Sequence, residues 1–189
     1  MGTISTTEKN LGIGEVFRRI GGDLSMLCDR EIEISEITFE ERSDRPSSHE
    51  GVNISFRFAL VMGGGVEHGA LMIPLAESIS LGGNLMMAGP AQIAELQERG
   101  EVDGPLREAI LEVGAFVAGA IQSAAEALGL PEARVEFEGC QGVPPAVPPR
   151  LDYEEGARLL VGRASLRMGD AAPVQAVLVL PSLAMNFGA

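Results

Sequence analysis

Basic side chains are scarce in this sequence of 189 residues: 14 Lys and Arg stand against 27 Asp and Glu, a formal charge of −13. A surface of that sign repels a phosphate backbone and an anionic membrane, which argues against nucleic-acid and membrane partners. It favours solubility and steers a partner that carries a basic patch. Long hydrophobic runs are also missing. Gly, Glu or Ser interrupts each one well short of the roughly 18 residues that a membrane span requires. The segment Met1 to Asn10 is polar and holds no apolar signal segment, so a cytoplasmic location is expected, with residues 1–10 as a flexible lead.

Cysteine and histidine are equally sparse. Cys28 and Cys140 have no neighbours at metal-ligand spacing and read as free thiols in or near the core. The two histidines are His49, in a polar loop, and His68, in a strand. Neither is joined by Cys, Asp or Glu at ligand spacing, so no metal and no cofactor is expected. No Ser–His–Asp arrangement can be argued from them either. Gly63-Gly64-Gly65 joins two strands and lacks a following Lys, which separates it from a phosphate loop.

Hydrophobic residues make up 46% of the chain, enough for a real core. Ile13, Val16, Phe17, Ile20, Leu24 and Leu27 recur every three or four positions, which predicts a helix over 13–28. Gly21 and Gly22 weaken its centre by about 1 kcal/mol each relative to Ala, and they permit close approach of another element. Residues 31–40 alternate, then change parity near Ser35, as a bulged strand does. Val52, Ile54, Phe56, Phe58 and Leu60 alternate cleanly, and 52–74 reads as a β-hairpin. Short helices are expected over 76–86 and 91–98, the latter opened by Pro90.

The strongest element spans 105–128. Asp103 is placed to cap it and Pro105 to open it, and Leu106, Ile110, Val113, Val117, Ile121, Ala124 and Leu128 form one apolar stripe. A strand follows near 133–138, then a Pro-rich turn over 143–150 read as a loop beside this helix. Strands near 156–168 and 172–181 form a second hairpin around Gly169-Asp170.

Both halves thus run helix, strand, loop, hairpin. Arg19-Ile20-Gly21-Gly22 matches Glu112-Val113-Gly114-Ala115, and Ala70-Leu71-Met72-Ile73-Pro74-Leu75 matches Val177-Leu178-Val179-Leu180-Pro181-Ser182. One half is too small to be stable alone. The expected fold is α+β: two pseudo-twofold related helix–strand–hairpin units, with both long helices on a mainly antiparallel six-stranded sheet. The repeats cover about 11–75 and 103–187, joined by connecting helices over 76–102 in a single domain.

This layout resembles the CheC/CheX/FliY family of chemotaxis phosphatases and the related middle domain of the flagellar switch protein FliM. The resemblance covers roughly residues 11–187 and rests on Leu111 to Ala120, the repeated hairpins and Pro144-Pro145. It implies hydrolysis of the aspartyl phosphate on a CheY-like response regulator. In the family, a helix carries an acid or Ser, then Glu four positions later to contact the regulator's lysine, then Asn three further on to orient water. Here those positions are Glu108, Glu112 and Ala115, so the acids are present and the Asn is absent. On the first helix they are Arg19 and Gly22, with Asp23 about 100° further around the helix.

Glu108, Glu112, Ala115, Gly119 and Gln122 lie three or four apart and share one side of their helix. With Arg19, Gly22 and Asp23 they form the candidate partner surface, and Glu112 is the candidate catalytic residue. A partner helix or loop with a basic residue fits such a groove. The expected partner is a CheY-like receiver domain, bound without efficient phosphatase activity. Two alternatives remain. One is an active phosphatase whose water-holding group has moved to Gln122. The other is a flagellar-switch-like or homodimeric scaffold pairing through an edge strand.

Overall fold

Alternating apolar residues build six strands, and the two helical stripes cover one side of them. The computed structural model describes residues 6–44, 46–47, 51–152 and 156–181. Helix α1 (Thr6–Cys28) leads into β1 (Ile32–Arg42) and the hairpin of β2 (Asn53–Met62) and β3 (Gly65–Pro74). Helices α2 (Leu75–Leu85) and α3 (Pro90–Arg99) then lead to α4 (Gly104–Ala127). The order of the first half repeats as β4 (Arg134–Val143) and the hairpin of β5 (Leu159–Met168) and β6 (Val174–Leu180).

The strands form one antiparallel sheet in the order β1-β5-β6-β3-β2-β4. Exchanging β1 with β4, β2 with β5 and β3 with β6 reproduces that order from the other edge. The pseudo-twofold passes through the central pair, where Ala70, Leu71 and Met72 face Val179, Leu178 and Val177. Leu71 and Leu178 therefore occupy matching places in the sheet. Each hairpin receives an outer strand from the other half: β1 pairs with β5, and β4 with β2.

Both outer strands are bulged. In β1 the register shifts between Ser35 and Thr38, at Glu36 with φ 50°, where the parity change places it. In β4 it shifts opposite Arg57 and Phe58, at Gly139 with φ 109°, a conformation that favours glycine. That bulge lets β4 run on to Val143, past the end expected near 138.

Helices α1 and α4 pack side by side on the face made by Ile54, Phe56, Phe58, Leu71, Leu166 and Leu178. Each such large apolar side chain contributes about 1.5–3 kcal/mol by leaving water. Glycines set the helix–sheet distance. A Cβ on Gly114 would lie 2.3 Å from the Phe137 ring, and one on Gly21 would lie 3.2 Å from Ile34 Cδ1. The close approach expected for the Gly21–Gly22 pair is therefore made by Gly21, onto a strand. Gly22 is exposed and has nothing near it.

Four further expectations change. First, α1 opens at Thr6, so the lead expected to be flexible is helical over 6–10. Glu8 and Lys9 favour helix without contributing to an apolar stripe, so periodicity alone starts the helix too late. Second, Asp103 occupies the N-cap position of α4, but its side chain makes no capping hydrogen bond. It is mostly exposed and lies 4.0 Å from Arg99. Third, the loop after β4 does not end beside α4. Its Leu151 is buried on the opposite sheet face with Ala70, Met72, Leu159, Val161, Val177 and Val179. Fourth, α4 is, among the described residues, the one helix long and apolar enough to cross a membrane by composition. The polar residues that interrupt its sequence fall on its outer side, and more than half of its apolar window is buried within the protein.

Candidate functional site

The outer side of α4 is fixed by its inner side. Leu106, Ile110, Val113, Val117, Ile121 and Ala124 are buried, and the 3.6-residue period turns Glu108, Glu112, Ala115 and Gly119 outward. All four are exposed. Neither Glu108 nor Glu112 takes part in any hydrogen bond or ion pair found among the described residues. Glu112 is thus a free carboxylate beside a methyl group at Ala115 and bare backbone at Gly119.

Gln122 continues the row but is already engaged. Its Nε2 donates to Glu126 Oε1 at 2.8 Å and to the Ala133 carbonyl at 2.9 Å, and its Oε1 accepts from the Val135 amide at 2.8 Å. The side chain ties the end of α4 to the start of β4. Both Nε2 hydrogens are thereby used, which leaves the amide only a second lone pair on Oε1.

The α1 set is organised separately. Glu15 accepts from Arg18 Nε at 2.7 Å and from Arg19 Nε at 2.8 Å. Those two guanidinium groups, Arg18 first, pull the Glu15 carboxyl down to about 2. Arg19 is therefore paired within its own helix. Gly22 is exposed, Asp23 is half-buried, and no hydrogen bond or ion pair links this set to Glu108 or Glu112.

Two exposed apolar side chains join these faces without having been singled out in the sequence. Phe116 is 42% exposed and Met26 77% exposed. The signal was available for Phe116, because it falls outside the apolar stripe of its helix. Flanking the α4 row, a cleft of about 350 Å³ runs between α4 and β4, lined by Ile54, Val102, Arg107, Leu111 and Gln141 among others.

The remaining candidates are quiet chemically. Both cysteines are free, and burial pushes the Cys28 thiol up to about 11 and the Cys140 thiol up to about 12. At those values neither is a nucleophile near neutral pH. His68 Nδ1 lies 3.0 Å from Glu138 Oε2, and His49 lies outside the described residues. Among the described residues, no three His, Cys, Asp or Glu side chains converge as a metal site would require.

The arrangement defines a class: a pseudo-twofold α+β sheet protein with one acidic, small-centred helix face turned to solvent. No family model matches the chain, and no curated protein matches it. Solved structures do. FliY of Thermotoga maritima superposes with a TM-score of 0.67 at 14% identity, covering 97% of this chain and 94% of its own. A chain of the FliG–FliM complex from H. pylori gives 0.64 at 10% identity, covering 97% and 99%. CheX from Vibrio vulnificus gives 0.57 at 9% identity, covering 89% and 96%. The chain has the CheC/CheX/FliY fold.

Proposed function

We propose that this chain is a cytoplasmic chemotaxis or two-component signalling protein that binds the receiver domain of a CheY-like response regulator through the outer face of α4, without efficient phosphatase activity. The observation that carries the reading is the exposed row Glu108, Glu112, Ala115 and Gly119. It offers free carboxylates for a basic group on the partner. Its centre has no side chain able to hold a water. An aspartyl phosphate is already reactive, so catalysis of its hydrolysis needs water held in line. A carboxamide can do that and a methyl group cannot. Phe116, on the same outer side, supplies an apolar anchor next to the acids.

Titration of the full chain with phosphorylated and unphosphorylated cognate receivers tests the reading. Saturable binding is expected, weakened about tenfold in Glu112→Ala by loss of one charge-assisted contact. The phosphorylated receiver should decay at its own rate in the presence of the wild-type chain. Ala115→Asn should accelerate that decay. Binding to no cognate receiver would end the proposal.

A second reading has its own support, namely the likeness to the FliM middle domain and to a chain of the FliG–FliM complex. On that reading the protein is a flagellar-switch-like scaffold, and isolation with motor proteins rather than receivers would favour it. Both readings take the two halves as a duplicated unit, which the equivalence of Leu71 and Leu178 across the central strand pair supports.

A further inference from the structure

The cleft between α4 and β4 is reached from solvent and lined mostly by apolar side chains. Its volume of about 350 Å³ falls at the lower end of the range of small-ligand sites, about 300–1,000 Å³. Ile54 in its lining is buried, whereas Val52 is 43% exposed and Leu111 half-buried, so the lining runs from the core out to water. Cys140 adds a small neutral group, its Sγ 3.9 Å from the Ile110 carbonyl.

Arg107 is the one charged residue in that lining. It is exposed, and no partner of its guanidinium is found among the described residues. Only its backbone amide is engaged, by the Asp103 carbonyl at 3.1 Å. The Asp103 carboxylate, four positions earlier and at the spacing of a helical ion pair, lies toward Arg99 instead.

The other half provides an internal control. Strand pairing sets Phe39 of β1 at the place of Cys140, and Glu41 at the place of Gly142. Arg158 precedes β5 as Val52 precedes β2, and Arg18 of α1 stands at the place of Leu111. There, the Phe39 ring packs against the core and Arg158 pairs with Glu41. In the second half a thiol replaces the ring, and a Cβ built on Gly142 would meet nothing. Val52 and Leu111 replace two arginines, while the cation appears at Arg107, where α1 has Gly14. The fold therefore does not require this opening; the residues of one half make it and those of the other fill it.

We propose that the cleft binds a small monocarboxylic acid with an apolar body, its carboxylate on Arg107 and its hydrocarbon part against Val52, Ile54, Leu111 and Cys140. The planar guanidinium matches a carboxylate in bidentate geometry. A single cation, in a chain of formal charge −13, balances one negative charge, which disfavours a doubly charged phosphate. The cleft flanks the α4 row but shares none of its four residues, so this reading stands or falls apart from the receiver reading.

The test titrates the full chain at constant ionic strength with phenylacetate, isocaproate, their neutral amides, acetate, inorganic phosphate and N-acetyl-leucine amide. The methyl resonances of Val52 and Leu111 are followed in the wild type, and the heat of binding is measured in the wild type and each variant. A saturable shift is expected with at least one of the two longer acids. The matching amide should bind tenfold or more weakly, and Arg107→Gln should weaken the acid by a similar factor through loss of the charge-assisted pair. Cys140→Phe, which copies the residue at the matching place on β1, should abolish binding. Arg107→Gln alters an exposed side chain, so it carries the test should the Phe variant fail to fold. Arg163→Gln, on the far face of the sheet, should bind as the wild type does. No saturable shift with either acid overturns the proposal. Acetate or phosphate binding as tightly as the longer acids also overturns it, since Arg107 alone would then hold the ligand. A stronger shift with N-acetyl-leucine amide than with either acid assigns the cleft to a partner's apolar side chain and overturns it as well. So does equal binding by the wild type and a folded Arg107→Gln.

Discussion

Helices α1 and α4 occupy equivalent places yet present different outer faces. Their inner faces agree: Ile13, Phe17, Ile20 and Leu24 of α1 and Leu106, Ile110, Val113 and Val117 of α4 are all buried at matching positions. Each helix also brings a glycine onto the outer strand of its own half, Gly21 onto β1 and Gly114 onto β4. Outside, the sign of charge reverses at one matched position. Arg19 stands where α4 has Glu112, and Gly22 where it has Ala115. Glu15 is held by two arginines, whereas its counterpart Glu108 is free. The fold thus constrains the inner half of each helix and leaves the outer half to function. The two faces therefore differ: α1 neutralises its own acid, whereas α4 leaves its acids unpaired and exposed.

Four stability measurements would break or sharpen that comparison, all by urea denaturation of the full chain. The largest effect belongs to Gly114→Ala. The added methyl would sit 2.3 Å from the Phe137 ring, which already rests near Phe56, so the ring must swing out at a cost of about 1–3 kcal/mol. A cost near zero would show that glycine does not set the α4–sheet distance. Next comes Gly22→Ala, at an open and exposed helical position. It should stabilise the protein by about 0.5–1 kcal/mol by limiting the unfolded chain. A loss of stability there would mean that the outer face of α1 is as constrained as the inner one.

The smallest effect concerns Glu15. Its folded carboxyl is depressed from the ordinary 4.5 to about 2. Its contribution is therefore fully present above about pH 4.5 and is lost as pH falls toward 2. The group is near the surface, so solvent screening keeps the contribution to a few tenths of a kcal/mol. Glu15→Gln should flatten the acid limb of the stability curve between those values. An unchanged limb would show that the Arg18 and Arg19 pairs contribute nothing. Glu108→Ala, which removes no ion pair, should leave stability at neutral pH within error.

Much of this fold was legible because local rules and tertiary packing agree. The apolar stripe from Leu106 to Ala124 and the alternation from Ile54 to Leu60 mark both the element and its buried face. The parity change near Ser35 marks a bulge. The exchange of outer strands was not legible, because the pairing of β1 with β5 joins residues more than a hundred positions apart and neither strand's pattern names its partner. The Asp103 side chain shows the limit of cap rules, since a suitable residue at the right position still points to Arg99. In the candidate site, the acidic row could be read from spacing alone. The engagement of Gln122 could not, because its partners Ala133 and Val135 contribute backbone atoms, which carry no residue-type signal.

The strand exchange has a consequence for the order in which the molecule can be completed. Glu41 of β1 pairs with Arg158, at the entry to β5, and Glu33 pairs with Arg167 within it. These contacts span 117 and 134 positions. At typical synthesis speeds of about 5–20 residues per second, β1 therefore waits roughly 6–25 s on the ribosome before its neighbour emerges. During that interval it is a nascent edge rich in glutamate, with Glu33, Glu36, Glu40 and Glu41 exposed at its rim. Those charges deter the wrong pairing while the right strand is still being made.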